Sequence, residues 1–301
     1  MNSPGPLLGG VELGGTKCIC LIGTGPNDIR TRITIPTGDD AAATLGRIEE
    51  ILRDGIAVHG PIAALGVASF GPVDLSRQSP TYGFITATPK PGWSHINVAS
   101  RLALTFGVPV GFDTDVNGAA LAEGRWGAAQ GLGDFAYITI GTGVGVGLVA
   151  GGRLVHGFGH PELGHIRIAR REGDTWRGTC PFHGDCVEGL ASGVAIAARA
   201  GMAADTVPVD SPVWDLVAHA IAQLLHTLVF ATAPRRILIG GGVAVAHPEL
   251  LDRVRAELMT SINGYLDLEK LTTGIGRYVV PPGLGALAGP LGALAVAADA
   301  L

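Results

Sequence analysis

Few cysteines, no basic run and little charge of either sign set the first limits on this chain of 301 residues. Cys18, Cys20, Cys180 and Cys186 are the only cysteines, and without an export signal they read as reduced thiols or metal ligands rather than disulfides. The opening Met1-Asn2-Ser3-Pro4-Gly5-Pro6 lacks the basic and long apolar regions of a signal peptide, which points to the cytoplasm. With 21 Lys+Arg against 26 Asp+Glu, the net charge of −5 speaks against a nucleic-acid partner. The longest apolar tract, Val213 to Ala233, holds Asp215, His219, Gln223 and His226, so it predicts a buried helix and no membrane span. Common nucleotide signatures are missing as well. No Gly-Lys-Ser/Thr follows a four-residue spacer, Val146 stands where Gly141-Thr142-Gly143 would need a third glycine, and Gly283-Leu-Gly285-Ala-Leu-Ala288 has no room for the following strand. Any nucleotide is therefore held by a different fold.

What is abundant is glycine: 47 residues, roughly double the usual share of about 7%. Glycines without a three-residue period, in a chain 47% hydrophobic and 16% charged, exclude collagen and disorder and point to tight turns and close backbone approaches. Leu7 to Gly25 reads as strand, turn at Gly14-Gly15-Thr16-Lys17, strand; Phe135 to Val149 repeats that grammar around Gly141-Thr142-Gly143. The repeat implies two similar halves facing across a cleft. Between the hairpins, helices are predicted at 41–59 and 97–106, strands at 63–69 and 108–112, and a Pro/Gly-rich loop at 71–93. After them come an irregular stretch at 157–189, helices at 213–233, 248–262 and 284–301, and strands at 236–239 and 277–280. Alternation of this kind means an α/β fold. With no low-complexity linker to mark it, a domain boundary is placed near residue 112.

Three groups carry chemistry. Each glycine turn presents converging backbone N–H groups suited to phosphate, although either turn alone also fits a hairpin needing positive φ. Asp113, Thr114, Asp115 and Asn117 follow a strand end and precede a helix, where ligand groups collect in open α/β sheets; all four also suit an N-cap. A carboxylate there can serve as general base on a hydroxyl. Cys180, His183 and Cys186, with His165 upstream, can close a tetrahedral Cys₂His₂ site for structural zinc, the alternative being free thiols and surface histidines. Glu162 and Glu188 flank that set. Fixed by it, they suit adjacent hydroxyls of a polyol; unfixed, they are solvated glutamates.

Together these segments resemble the ROK family of bacterial sugar kinases across nearly the whole chain. The matching segments are Glu12 to Lys17, Ile140 to Gly145, Glu162-Leu163-Gly164-His165, Cys180 to Gly193, and Ile239-Gly240-Gly241-Gly242-Val243. The resemblance implies an actin-like ATPase (ribonuclease H-like) fold. Its N-terminal domain, 1–112, is rejoined by a final helix at about 285–301, and its larger domain, 113–284, flanks the cleft from the other side. It implies that Asp115 is the catalytic base and that Thr114, Glu162, His165 and Glu188 bind sugar, with His165 also a zinc ligand. ATP phosphates would rest on Gly14, Gly15, Thr16 and Lys17 and on Gly141, Thr142 and Gly143. Gly240, Gly241 and Gly242 would lie against adenosine, and Mg²⁺ would ride on the nucleotide. A cytoplasmic homodimer is the implied assembly.

Two positions depart from the family pattern: Thr114 stands where glucose-phosphorylating members place Asn, and Glu12 where Asp is usual. Other segments resemble the fructokinase branch, among them Ser69-Phe70-Gly71-Pro72, Thr88 to Trp93 and Val279 to Gly285. ATP-dependent 6-phosphorylation of fructose is therefore expected, with mannose, glucose or N-acylmannosamine as alternative substrates. Two other classes stand beside these: a sugar-binding regulator, although the repressors of the family need a DNA-binding domain for which there is no room before Leu7, and an actin-like filament or chaperone ATPase, which explains the paired glycine turns but not the Cys/His loop with Glu162 and Glu188.

Overall fold

A computed structural model describes residues 5–266 and 269–301. Leu8–Leu13 (β1) and Lys17–Gly25 (β2) form the predicted hairpin, and Asp28–Pro36 (β3) extends it. The sequence reading lacked β3: it is an exposed edge strand, so its Arg30 and Arg32 sit where a buried strand would show apolar residues. Ala41–His59 (α1), capped by Asp40 accepting from the Ala43 N–H, leads to Ala64–Ser69 (β4). Next come the short strands Phe84–Ile85 (β5) and Ile96–Asn97 (β6), Ala99–Phe106 (α2), Val110–Thr114 (β7) and Asp115–Trp126 (α3).

The second half opens with Phe135–Ile140 (β8), Val144–Ala150 (β9) and Arg153–Leu154 (β10). Helices Val187–Ala191 (α4), Gly193–Ala200 (α5) and Val213–Thr232 (α6) precede Ile237–Gly240 (β11). Gly242–Ala246 (α7), Leu250–Ile262 (α8), Glu269–Tyr278 (α9), Val279–Val280 (β12) and Ala288–Ala298 (α10) complete the chain. The strand predicted at 277–280 is thus only its last two residues, Arg277 and Tyr278 belonging to α9.

Two compact units result: residues up to Gly127 with Val155–His160 and Leu287–Leu301, and Ala128–Leu154 with Pro161–Ala286. The division falls after α3, where the sequence reading placed it before. The reason is α10, which packs on α3 as well as on β1 and β4, so the helix following Thr114 cannot be separated from the first sheet.

The first unit's sheet has the order β3-β2-β1-β4-β7, antiparallel through β1, β2 and β3 and parallel from β1 through β4 to β7. One face carries Val11, Leu13, Cys18, Cys20, Leu65 and Val67, packed with Leu45, Ile48 and Leu52 of α1. The other face carries Gly10, Gly66 and Gly111, paired in one row across three strands. A Cβ on Gly66 would lie 2.0 Å from the Ala293 carbonyl oxygen, and one on Gly111 2.3 Å from that of Val296, so α10 rests directly on the strands. Gly118 and Gly292 make the α3–α10 crossing equally close.

The second unit repeats the arrangement: order β10-β9-β8-β11-β12, with β8–β9–β10 antiparallel and β8–β11–β12 parallel. Helix α6 is long and apolar enough to cross a bilayer, but Val217, Ile221, Leu224, Leu225 and Leu228 are buried and the helix packs on α8 and α4.

Candidate active site

The end of β7 and the start of α3 form a capped turn. Thr114 is buried and acts as N-cap, its Oγ1 accepting from the Asn117 N–H at 3.1 Å. Asp115 is the first helical residue, its Oδ1 accepting from the Val116 N–H at 2.8 Å. The helix N-terminus favours its charge, yet burial dominates and pushes its pKa up to about 6. At neutral pH it is therefore mostly ionised while holding a proton more readily than an ordinary aspartate, the setting a general base needs.

Glu12 lies in register with Ala68 and Asp113 across β1, β4 and β7. Burial, and then the Asp115 charge, push its pKa up to about 7, against the pull of Lys17 and Arg32. Its Oε2 is buried without a hydrogen-bond partner, and room for the carboxylate exists because residue 289 is glycine, whose Cβ would lie 2.1 Å from Oε1. A buried, unsatisfied carboxylate is costly unless a cation or proton meets it. The first turn closes through the Gly14 N–H donating to Lys17 O (3.0 Å) and Thr37 Oγ1 donating to Gly14 O (2.6 Å), while Gly15, Thr16 and Lys17 stay exposed.

Asp113, grouped in the sequence with Thr114, Asp115 and Asn117 but given no role of its own, is a further polar centre. Its Oδ1 accepts from the Thr114 N–H (2.7 Å) and from Asn117 Nδ2 (2.6 Å), and its Oδ2 pairs with His156 Nε2 at 3.0 Å. That hydrogen bond raises the pKa of His156 above the ordinary histidine value, against partial burial. Since the residues are far apart in the chain, no local pattern could reveal the pair.

In the second unit, three predicted groups come together. The Gly141–Gly143 turn closes by the Gly141 N–H donating to Gly143 O, and the Gly193 N–H at the start of α5 donates to Gly141 O at 2.7 Å. Gly241, with φ of 90°, caps α7; a Cβ there would lie 2.4 Å from the Ile140 carbonyl, so the Gly240–Gly242 turn abuts the Gly141 turn. Glu188 joins this to the Cys/His loop. Its Oε2 accepts from the Val144 N–H (3.1 Å), with Gly143 leaving the space, and its Oε1 lies 3.9 Å from His165 Nε2.

His165, Cys180, His183 and Cys186 have their ligand atoms within 4.8 Å of one another. His165 Nδ1 lies 3.6 Å from both sulfurs, and His183 Nδ1 3.7 Å from Cys180 Sγ. Tetrahedral bonds of about 2.0–2.3 Å to nitrogen and sulfur place ligand atoms about 3.5 Å apart, so the donor set fits a four-coordinate cation. Both imidazoles turn Nδ1 inward, leaving His165 Nε2 toward Glu188. Glu162 sits exposed at the start of the 3₁₀ turn Leu163–His165. The loop is braced by Asp185, which accepts from Arg167 (2.6 Å) and Arg170 (3.0 Å).

A family model described as the ROK family matches residues 8–300. The chain belongs to the ROK family. Among its ROK relatives, a fructokinase of Pediococcus pentosaceus is 39% identical over 98% of this chain and 99% of its own length. A fructokinase of Zymomonas mobilis is 39% identical over 99% and 98%. Among solved structures, the ROK hexokinase of Thermus thermophilus superposes with a TM-score of 0.78 at 27% identity, over 97% of this chain and 98% of that one. A ROK family glucokinase of Streptomyces griseus, solved with glucose and AMPPNP, gives 0.76 at 25% over 97% and 99%. The two units with repeated strand order thus form the actin-like ATPase fold of the ROK sugar kinases.

Proposed function

We propose that this ROK protein is a fructokinase, transferring the γ-phosphoryl group of ATP to the 6-hydroxyl of D-fructose to give fructose 6-phosphate and ADP. The observation that carries the reading is identity of 39% to fructokinases over almost the full length of both partners. Asp115 is the base: its half-buried carboxylate orients the primary hydroxyl and takes its proton as the oxygen attacks phosphorus. Thr114, Glu162, His165 and Glu188 contribute to sugar binding. The turns Gly14 to Lys17 and Gly141 to Gly143 receive the phosphates on the backbone N–H groups that their closing bonds from Gly14 and Gly141 leave open, Lys17 adds a cation, and Gly240 to Gly242 face adenosine.

Zinc is the cation that fits His165, Cys180, His183 and Cys186; four protein ligands close its shell, so it supplies a fixed loop and no bond-making step. Fixing the loop fixes Glu188, and Glu188 in turn holds the Val144 N–H beside the second glycine turn. Mg²⁺ bound with ATP supplies neutralisation of phosphate charge, and the unpartnered Oε2 of Glu12 is the carboxylate oxygen suited to its hydration shell. The reading includes a cytoplasmic homodimer.

Coupled ADP release measured with fructose, mannose, glucose and N-acetylmannosamine tests the assignment. The highest kcat/KM is expected with fructose. A higher value for another hexose replaces the substrate, and no release with any sugar removes the kinase reading.

A further inference from the structure

Residues Val155–His160 leave the second unit after Leu154, pack into the first, and return at Pro161. Apart from Val155, this strap is His156-Gly157-Phe158-Gly159-His160, with no helix or strand of its own. Two histidines fasten it. His160 Nε2 accepts from the Val73 N–H at 3.2 Å, and His156 Nε2 meets Asp113 Oδ2 at 3.0 Å.

The second fastening reaches the turn that bears Asp115. A carboxylate oxygen only accepts, so His156 Nε2 carries a hydrogen; Asn117 Nδ2, 3.4 Å from that nitrogen, gives one of its two hydrogens to Asp113 Oδ1. Asp113 therefore has one oxygen on His156 and the other shared by the Thr114 N–H and the Asn117 amide. Thr114 and Asn117 are the two ends of the capping bond that encloses Asp115. The burial is asymmetric: the Asp113 side chain is 9% exposed, whereas that of His156 is 37% exposed. A buried carboxylate with two acceptor oxygens keeps one orientation only while both are satisfied, and His156 is what satisfies Oδ2.

We propose that His156 is a positioning residue for phosphoryl transfer, acting through Asp113 to fix the first turn of α3 and with it the carboxylate of Asp115. The proposal rests on the reading of Asp115 as the base. Loss of the His156 hydrogen frees Asp113 to rotate, and a small displacement of the reacting group is felt in turnover rather than in substrate binding.

The test uses the full-length, zinc-loaded enzyme with the sugar giving the fastest ADP release, below the melting temperature of each variant. His156→Phe keeps the ring volume without a donor and is expected to lower kcat roughly 10- to 100-fold with both KM values within about twofold. His156→Gln, which keeps an N–H donor, is expected to recover most of that loss. A His156→Phe kcat within about twofold of wild type, or a His156→Gln variant as impaired as His156→Phe, overturns the proposal. Asp115→Asn, measured alongside, separates the two readings. Wild-type turnover in Asp115→Asn removes the base assignment and the proposal with it; an inactive Asp115→Asn beside an unimpaired His156→Phe removes the positioning role alone.

Discussion

The two units share one strand order and use it differently. In the first, the sheet is closed by α10 lying against Gly10, Gly66 and Gly111, and Glu12 and Asp115 stand on the strand and helix that this packing fixes. In the second, the corresponding hairpin turn is held by a side chain, Glu188 of the short helix α4, which follows directly on the Cys/His cluster of His165, Cys180, His183 and Cys186. One half achieves position by backbone packed on backbone, the other by polar and metal-ligating groups with little regular structure. Close packing tolerates almost no added volume, whereas a ligand cluster tolerates volume but not loss of a donor.

Four substitutions break or sharpen that contrast. Asp115→Asn removes the base from the packed half and should lower kcat by about 10²- to 10⁴-fold with sugar affinity nearly unchanged. In wild type, kcat/KM should fall as pH drops through about 6, where Asp115 takes up its proton, and the matching acid limb should vanish in the residual activity of the variant. Steady-state kinetics from pH 5 to 9 checks both. Cys180→Ser acts on the other half. Metal analysis should show zinc falling from one per chain, with greater proteolysis between residues 165 and 190 and a kcat loss exceeding about tenfold, while the first unit resists cleavage. Intact zinc stoichiometry in that variant would remove Cys180 from the ligand set.

Gly66→Ala adds one methyl where the Ala293 oxygen and Ala297 nitrogen leave no room, and should destabilise the protein by about 1–3 kcal/mol in denaturant unfolding. An unchanged midpoint would mean that α10 is not seated as described. Glu12→Gln has the smallest effect and the opposite sign. The folded-state pKa of Glu12, about 7, exceeds its ordinary value of 4.5, so the folded protein binds this proton more tightly and stability is lost as pH rises between the two. The neutral amide escapes that loss, so ligand-free Glu12→Gln should be more stable than wild type at pH 8 by on the order of 1–2 kcal/mol and nearly equal at pH 4. Thermal melts at the two pH values read the difference.

Much of this was legible in the sequence because it is written locally. The two hairpins show as apolar runs broken by Gly/Thr turns, the cap shows as Thr114-Asp115-Val116-Asn117, and the Cys/His spacing from 180 to 186 marks a candidate ligand cluster, with His165 upstream to complete it. What stayed hidden depends on contacts distant in the chain or on exposure. Strand β3 alternates Ile29, Ile33 and Ile35 with Arg30, Arg32 and Thr34, but on an open edge it is mostly exposed and lacks the continuous apolar run by which the buried strands are read. The Asp113–His156 pair joins residues on separate segments, and Glu188 reads as a solvated or sugar-binding carboxylate until its oxygen is seen on the Val144 N–H. Gly10, Gly66 and Gly111 lie in strands, where glycine ordinarily weakens a sheet, and only their alignment across three strands explains them.

That alignment also orders events during synthesis. A row of three glycines offers little apolar surface of its own, and its cover is made of residues 288–298, which follow Ala286, the end of the second unit, in the chain. The second unit has been translated in full by then. The sheet of the first unit therefore gains this cover only after every residue of the second unit has been made, although its own strands come first in the chain.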